Sequence, residues 1–302
     1  MTELPSWYPK GLRGRLLGKA SLRRLTWFRA GGPADWLFEP ADREDLALFM
    51  AALPQEMPIT VLGTGSNILI RDGGVDGVVV HLGKTFQTIE IDGERVRAGG
   101  GTSDVALAQA AAQASLTGLE FLRGVPGTVG GAVAMNAGAY GQEVADVFIS
   151  AELLLRDGEI VERPRHAFEF GYRRAVLPPD AIILSALFQC RPHDAETIMK
   201  QMERVLLERE ESQPLRTRTG GSTFKNPPGA KAWELIDRAG CRGLRIGTAQ
   251  VSEKHCNFLI ADPEARAADI EALGEEVRAR VRQSSGIDLE WEIRRIGREA
   301  LP

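Results

Sequence analysis

The chain has 302 residues, with 37 Lys plus Arg against 41 Asp plus Glu and a formal net charge of −4. Such a length predicts two or three compact units that together bury about three quarters of the unfolded surface, with no staple needed for stability. The near-even charge argues against a general polyanion-binding face, and so against nucleic acid as a partner, while three unpaired-looking cysteines (Cys190, Cys241, Cys256) and four scattered histidines argue against a disulfide framework or a metal site.

The chain opens MTELPSWYPKG, without an apolar leader, and its longest greasy runs, such as AIILSALF at 181–188, are too short to span a bilayer. A cytoplasmic, reduced protein with no membrane contact is expected. From Trp27 to Leu82 short apolar runs alternate with turn chemistry. Leu46, Phe49, Met50 and Leu53 share one face of a helix over 42–53. PITVL at 58–62, Ile68 to Ile70 and GVVVHL at 77–82 read as strands, with a turn at Asp72-Gly73-Gly74.

IEIDGERVRA at 89–98 predicts a hairpin turning at Asp92-Gly93. Ser103 can cap a helix that runs to about Leu116 and stops at Gly118. Further strands are expected at 147–155 and 182–190, with a turn at Asp157-Gly158. Residues 84–191 thus form a second α+β unit. Beyond Pro192, Ile198, Met202, Val205 and Leu206 mark an amphipathic helix, Ile270, Leu273, Val277 and Val281 a later one, and 289–293 a final strand, so a third unit begins near 193.

Chemistry is suggested by five places. The run GVPGTVGGAVAMNAGAYG at 124–141 is too rich in glycine to be cheap, since each costs about 0.5–1 kcal/mol relative to alanine in a regular element. Close approach to the backbone would explain it, and a phosphate held by main-chain N–H groups is the natural guest. Gly63-Thr64-Gly65-Ser66-Asn67 is a second such loop. It runs strand to strand and completes neither a Walker nor a Rossmann fingerprint. Together the two loops, with Ser66, Asn67, Thr128 and Asn136, suit the pyrophosphate of a dinucleotide. In GGSTFKNP at 220–227 Ser222 follows two glycines, with Lys225 and Asn226 close behind; the pattern is not that of a serine hydrolase. In LEWEI at 289–293 alternation puts Glu290 and Glu292 on one face, and the residues alone do not choose between them. In FGYRR at 170–174 either arginine could clamp a carboxylate.

In this order the motifs resemble the UDP-N-acetylenolpyruvoylglucosamine reductase family. The matching pieces are TWFRAGGPADWL at 26–37, VLGTGSNILIRDGGVDGVVV at 61–80, GLEFLRGVPGTVGGAVAMNAGAYG at 118–141, GYR at 171–173, QPLRTRTGGSTFKNP at 213–227, VSEKHCNFLI at 251–260 and LEWEIRRIG at 289–297. The resemblance implies an α+β fold: a two-subdomain FAD-binding region of the vanillyl-alcohol-oxidase (PCMH) type, at 21–83 and 84–191, followed by a substrate-binding domain at 193–298. It implies noncovalent FAD at Gly63, Thr64, Gly65, Ser66, Asn67, Gly127, Thr128, Gly130, Gly131, Asn136 and Gly138. NADPH would reduce it, and a UDP-sugar enolpyruvate would be the substrate, with no obligate protein partner.

By the same resemblance Ser222 is the proton donor, Glu292 and Arg173 are the other catalytic residues, and Lys225 and Asn226 contact the nucleotide sugar. Ala175 stands where the family more often has Ser, and the short connection from Arg173 to the helix near 195 resembles the subtype without an extra substrate-capping loop. Two rivals remain: an FAD oxidase of sugars or lactones, and a catalytically silent nucleotide-binding relative.

Overall fold

The computed structural model describes residues 5–300. The chain divides into two compact units. The first comprises residues up to Gly18, 36–63 and 77–208; the second comprises 19–35, 64–76 and the residues from Arg209 on.

In the first unit, Ile59–Leu62 pairs parallel with Val75–His81, and Arg15–Gly18 pairs antiparallel with Ala34–Glu39, within one four-stranded sheet. The expected helix forms as Arg43–Ala52. Asp42 caps it by accepting from the Asp45 N–H. Its apolar face is buried as the spacing predicts, with Leu46, Phe49 and Met50 inaccessible and the Phe49 ring stacked 3.8 Å from Phe38.

A five-stranded antiparallel sheet follows, ordered Ile160–Pro164, Phe148–Leu154, Ile182–Gln189, Arg95–Gly99 and Ile89–Asp92. The hairpin turns at Gly93, as expected, with φ +57°. The helix after Ser103 is shorter than predicted, Asp104–Gln113. Ser115 turns left-handed at φ +57°, and Leu116–Thr117 instead pairs with Arg191–Pro192. Ser103 holds the N-cap position without a side-chain capping bond.

In the second unit, Thr219–Ser222, Phe258–Ala261, Ala249–Val251 and Arg245–Ile246 form an antiparallel sheet. The helix Ala267–Ser285 buries Ile270, Leu273, Val277 and Val281 completely against it, a face that the sequence spacing announced. Arg294–Ile296 pairs parallel with Ile68–Ile70, which ties 64–76 into this unit. The predicted strand at 289–293 does not form. Only Trp291 bridges to Phe224, and the regular strand begins at Arg294. Trp291 is held aside by its own contacts: a Cβ on Gly274 would lie 2.2 Å from the indole, whose Nε1 donates to Glu275 at 2.9 Å.

Among the described residues, no helix is long and apolar enough to cross a membrane, and no group of three or more His, Cys, Asp or Glu is placed to hold a metal.

Candidate active site

Ser222 sits on a β-bulge. Thr219 faces Ile260 and Ser222 faces Phe258, so the strand carries one residue more than its partner between these pairs. The two glycines allow this in different ways. A Cβ on Gly220 would come within 2.4 Å of the Phe28 ring and 2.9 Å of Ile293, whereas Gly221 takes φ +78° and faces open space, its nearest neighbour being Ser66 O at 3.9 Å from where a Cβ would stand. Ser222 follows directly and is half-buried. Its hydroxyl has no hydrogen-bond partner among the described residues, so it is free to meet a ligand.

The segment after Ser222 runs beside 290–292. Lys225 N–H donates to Glu290 O, and Glu292 N–H donates to Thr223 O, both at 2.8 Å. This pairing sets the two glutamates apart. Glu290 carries a side chain 72% exposed that pairs with Lys225 Nζ at 2.5 Å. Glu292 is half-buried, and its carbonyl accepts from Asn67 Nδ2 at 3.1 Å. The end of the first glycine loop is thereby fastened to the backbone of Glu292, and Arg294 N–H donates to Asn67 O at 3.0 Å. Asn226 uses its Oδ1 to accept from Ala232 N–H at 2.9 Å, at the start of the helix Ala232–Arg238.

One residue that sequence reading left without a role holds this arrangement. Asn257 is buried; it donates from Nδ2 to Phe224 O at 2.9 Å and accepts at Oδ1 from Phe224 N–H at 3.0 Å, while its carbonyl accepts from Thr223 N–H at 2.8 Å. Three bonds thus fix the two residues after Ser222. Its only signal in the sequence was its place within VSEKHCNFLI.

Within the loop itself, Trp27 N–H donates to Gly65 O at 3.1 Å, whereas the N–H groups of Thr64 and Gly65 meet no acceptor among the described residues. Carbonyls are anchored and amides are left over. That is the donor set an anion asks for.

In the first unit Gly63 lies against Thr128: a Cβ on the glycine would stand 2.4 Å from Thr128 Oγ1. Val129 and Gly130 spend their N–H groups inside the fold, on Thr102 O and Gly100 O, both at 2.9 Å, and Gly127 O accepts from Asp104 N–H at 3.2 Å. Gly131, the exposed member, has only Thr128 Oγ1 within reach of an added Cβ, at 3.7 Å.

Asn136 is wholly buried, and both ends of its amide are engaged. Nδ2 donates to Gly171 O at 3.0 Å, and Oδ1 accepts from Ala145 N–H at 2.9 Å. The amide thus steadies the tight turn from Gly171 to Arg174, which is closed by two backbone bonds. Arg173 stands in this turn at φ +55°; its guanidinium donates to Gly138 O at 2.7 Å and lies 5.2 Å from the Tyr172 ring centroid. Among the predicted residues, Asn136, Gly138 and Arg173 form one contact group in the first unit. In the second unit Asn67 bonds the backbone of Glu292, whose N–H in turn meets the residue after Ser222, while Lys225 pairs with Glu290 instead.

The titratable groups near these segments include no activated thiol. Burial raises all three cysteines, Cys190 to about 12 with Glu120 adding to the effect. Asp104, fully buried with both carboxyl oxygens unpartnered, is pushed well above the usual carboxylate range by desolvation alone.

Comparisons with known proteins identify the family and the fold. Residues 34–163 match the FAD binding domain, and 213–296 match the C-terminal domain of UDP-N-acetylenolpyruvoylglucosamine reductase. The chain is 59% identical over 290 residues to UDP-N-acetylenolpyruvoylglucosamine reductase from Methylorubrum populi, covering 96% of this chain and 94% of that protein. The chain belongs to the UDP-N-acetylenolpyruvoylglucosamine reductase family. A relative of the same name from Erythrobacter litoralis is 55% identical, covering 96% of this chain and 90% of its own length. Among solved structures, the reductase (MurB) from Thermus caldophilus superposes with a TM-score of 0.82 at 37% identity, covering 95% of this chain and 100% of that one. 6-Hydroxy-D-nicotine oxidase from Arthrobacter nicotinovorans shares the fold alone, at a TM-score of 0.54 and 15% identity over 95% of this chain and 90% of that one. The reductase family's FAD-binding fold is thus the fold expected from sequence, and the unspent amides at 64–65 are chemically suited to its cofactor's diphosphate.

Proposed function

We infer that this protein is an FAD-dependent oxidoreductase that reduces UDP-N-acetylglucosamine enolpyruvate to UDP-N-acetylmuramate, with NADPH as reductant, in the making of peptidoglycan precursor. The observation that carries the reading is Ser222: a hydroxyl without a partner among the described residues, raised on a glycine bulge beside open space, in the segment whose pairing also sets Glu292.

Bound FAD would supply a hydride to the terminal enolpyruvyl carbon after taking one from NADPH. We assign its binding to Gly63, Thr64, Gly65, Ser66, Asn67, Gly127, Thr128, Gly130, Gly131 and Gly138, and give Asn136 a positioning part through the turn that carries Arg173. Negative charge then spreads over the neighbouring carbon and its carboxylate. Arg173 neutralises it; a well-aimed donor in such a site contributes about 2.7–4 kcal/mol. Ser222 delivers the proton to that carbon, a general-acid role that is typically worth about 10²–10⁴ in rate. Glu292 takes part through hydrogen bonds, since a bare carboxylate facing the developing charge would repel it. Lys225 and Asn226 serve the nucleotide sugar, Asn226 while also holding the start of the following helix. A cytoplasmic location suits the two nucleotide reactants, and the reaction calls for neither nucleic acid nor an obligate protein partner.

Anaerobic stopped-flow spectroscopy tests this. NADPH should bleach the flavin, and UDP-N-acetylglucosamine enolpyruvate should restore its colour. Ser222→Ala should bleach at the normal rate and recover about 10²–10⁴-fold more slowly. Equal loss of both half-reactions would remove Ser222 from the proton-donor role.

A further inference from the structure

A basic cleft in the second unit takes no part in the chemistry above. It encloses about 540 Å³ and is lined by Ser21, Arg23, Arg24, Arg29, Arg218 and Pro263. Arg23 and Arg24 come from a single 3₁₀ turn, Arg29 from a left-handed position at φ +53° just after the buried Phe28, and Arg218 from the residue preceding the strand Thr219–Ser222. Four guanidinium groups from three separate stretches of chain therefore line one concavity.

Two of the four are held in place by backbone. Arg23 Nε donates to Arg29 O at 3.0 Å, and Arg218 Nη1 donates to Pro263 O at 2.5 Å and to Asp262 O at 3.5 Å. Carbonyl oxygens orient these groups and leave their charge uncompensated. The Arg24 and Arg29 guanidiniums have no hydrogen-bond or ion-pair partner among the described residues. This is unlike much of the same unit, where Arg71, Arg242, Arg245, Arg295 and Arg298 each meet a carboxylate. Asp262, the acid nearest Arg218 by this bonding, gives its carboxylate to Arg245 at 2.5 Å. In a chain with more acidic than basic residues, four arginines share a hollow and none is ion-paired among the described residues.

Like charges gathered this way repel, and a bound anion removes the cost. Guanidinium forks match phosphoryl oxygens two at a time, and several such forks around a space within the range of about 300–1,000 Å³ typical of small-molecule sites suit more than one phosphate. We propose that the cleft is a binding site for a diphosphate group, separate from the Ser222 site. The inference stands apart from the reductase reading, because it needs no turnover to be tested.

The test is equilibrium dialysis of inorganic pyrophosphate against the FAD-loaded protein, beside Arg24→Gln/Arg29→Gln and Arg24→Lys/Arg29→Lys double variants. Neither side chain has a hydrogen-bond or ion-pair partner among the described residues, so the flavin spectrum should be unchanged and the melting temperature no lower. The wild type should show saturable binding that weakens with salt; the Gln pair should lose about a hundredfold or more in affinity, and the Lys pair less, because each lost guanidinium removes charge-assisted bonds and lysine restores the charge without the fork. Competition then identifies the source: displacement by NADPH assigns the reductant's diphosphate, displacement by UDP-N-acetylglucosamine the nucleotide sugar's, and displacement by neither a free pyrophosphate. Absence of saturable binding, or equal affinity in the wild type and the Gln pair, overturns the proposal.

Discussion

The two glycine-rich segments, 124–141 in the first unit and 220–221 in the second, use the same residue for different ends. In the first, missing side chains let parts of the fold close on one another: a Cβ on Gly124 would stand 2.4 Å from the Tyr140 ring, and one on Gly138 would stand 2.9 Å from Glu143 Cβ. In the second, one glycine admits a neighbouring ring and the next bends the strand, so that a serine hydroxyl is left uncovered. Glycine density alone therefore does not mark a ligand cradle. On the proposed reading, what would mark one is a backbone group or hydroxyl left without a partner among the described residues, as at Thr64, Gly65 and Ser222.

The largest effect that would sharpen this comparison concerns the glutamates set by the Ser222 segment. Glu292→Gln should lower turnover by about 10²-fold or more, the scale of losing a catalytic hydrogen-bonding group, while Glu290→Gln, which removes only an exposed carboxylate from its pair with the half-buried Lys225, should cost far less. Steady-state kinetics in which Glu290→Gln is the worse variant would reverse the assignment. Asn257→Ala comes next. It strands the buried N–H and C=O of Phe224, at about 1–3 kcal/mol for each, so thermal unfolding should show a marked fall in stability together with slower flavin reoxidation.

A paired substitution tests the contrast directly. Gly220→Ala should destabilise the fold by about 1–3 kcal/mol through overpacking against Phe28. Gly131→Ala, where nothing in the protein crowds the added methyl, should leave the apoprotein as stable or more so and weaken FAD retention instead. Denaturant unfolding and flavin release, measured side by side, would break the distinction if both variants behaved alike.

A pH trend completes the set. Asp104 has its carboxyl raised by burial in the fold but not in the unfolded chain. Its contribution to stability is therefore complete below about pH 4 and is lost as pH rises toward the folded value, at about 1.4 kcal/mol per unit of elevation. Asp104→Asn should thus gain on the wild type as pH rises above about 4 in melting experiments. A pH-independent gap would show that the buried carboxyl does not titrate as its surroundings imply.

The sequence by itself determined the parts governed by local pattern. The helices at 43–52 and 267–285 follow from apolar spacing and, for the first, from Asp42 as cap, and the hairpin at 89–99 follows from Asp92-Gly93. It also determined the family, because motif order survives where side-chain geometry is invisible. Where neighbours distant in sequence competed, the pattern was insufficient. The helix after Ser103 stopped early because Leu116 found a strand partner at Pro192, and 289–293 stayed irregular because Trp291 was drawn onto the helix at Gly274. Only the tertiary structure supplied a physical difference between Glu290 and Glu292, which the family resemblance had told apart without one, found Asn257, and joined 19–35 and 64–76 to the C-terminal segment. Each of these depends on which backbone donors and acceptors remain after the chain has folded, and periodicity along a sequence carries no record of that remainder.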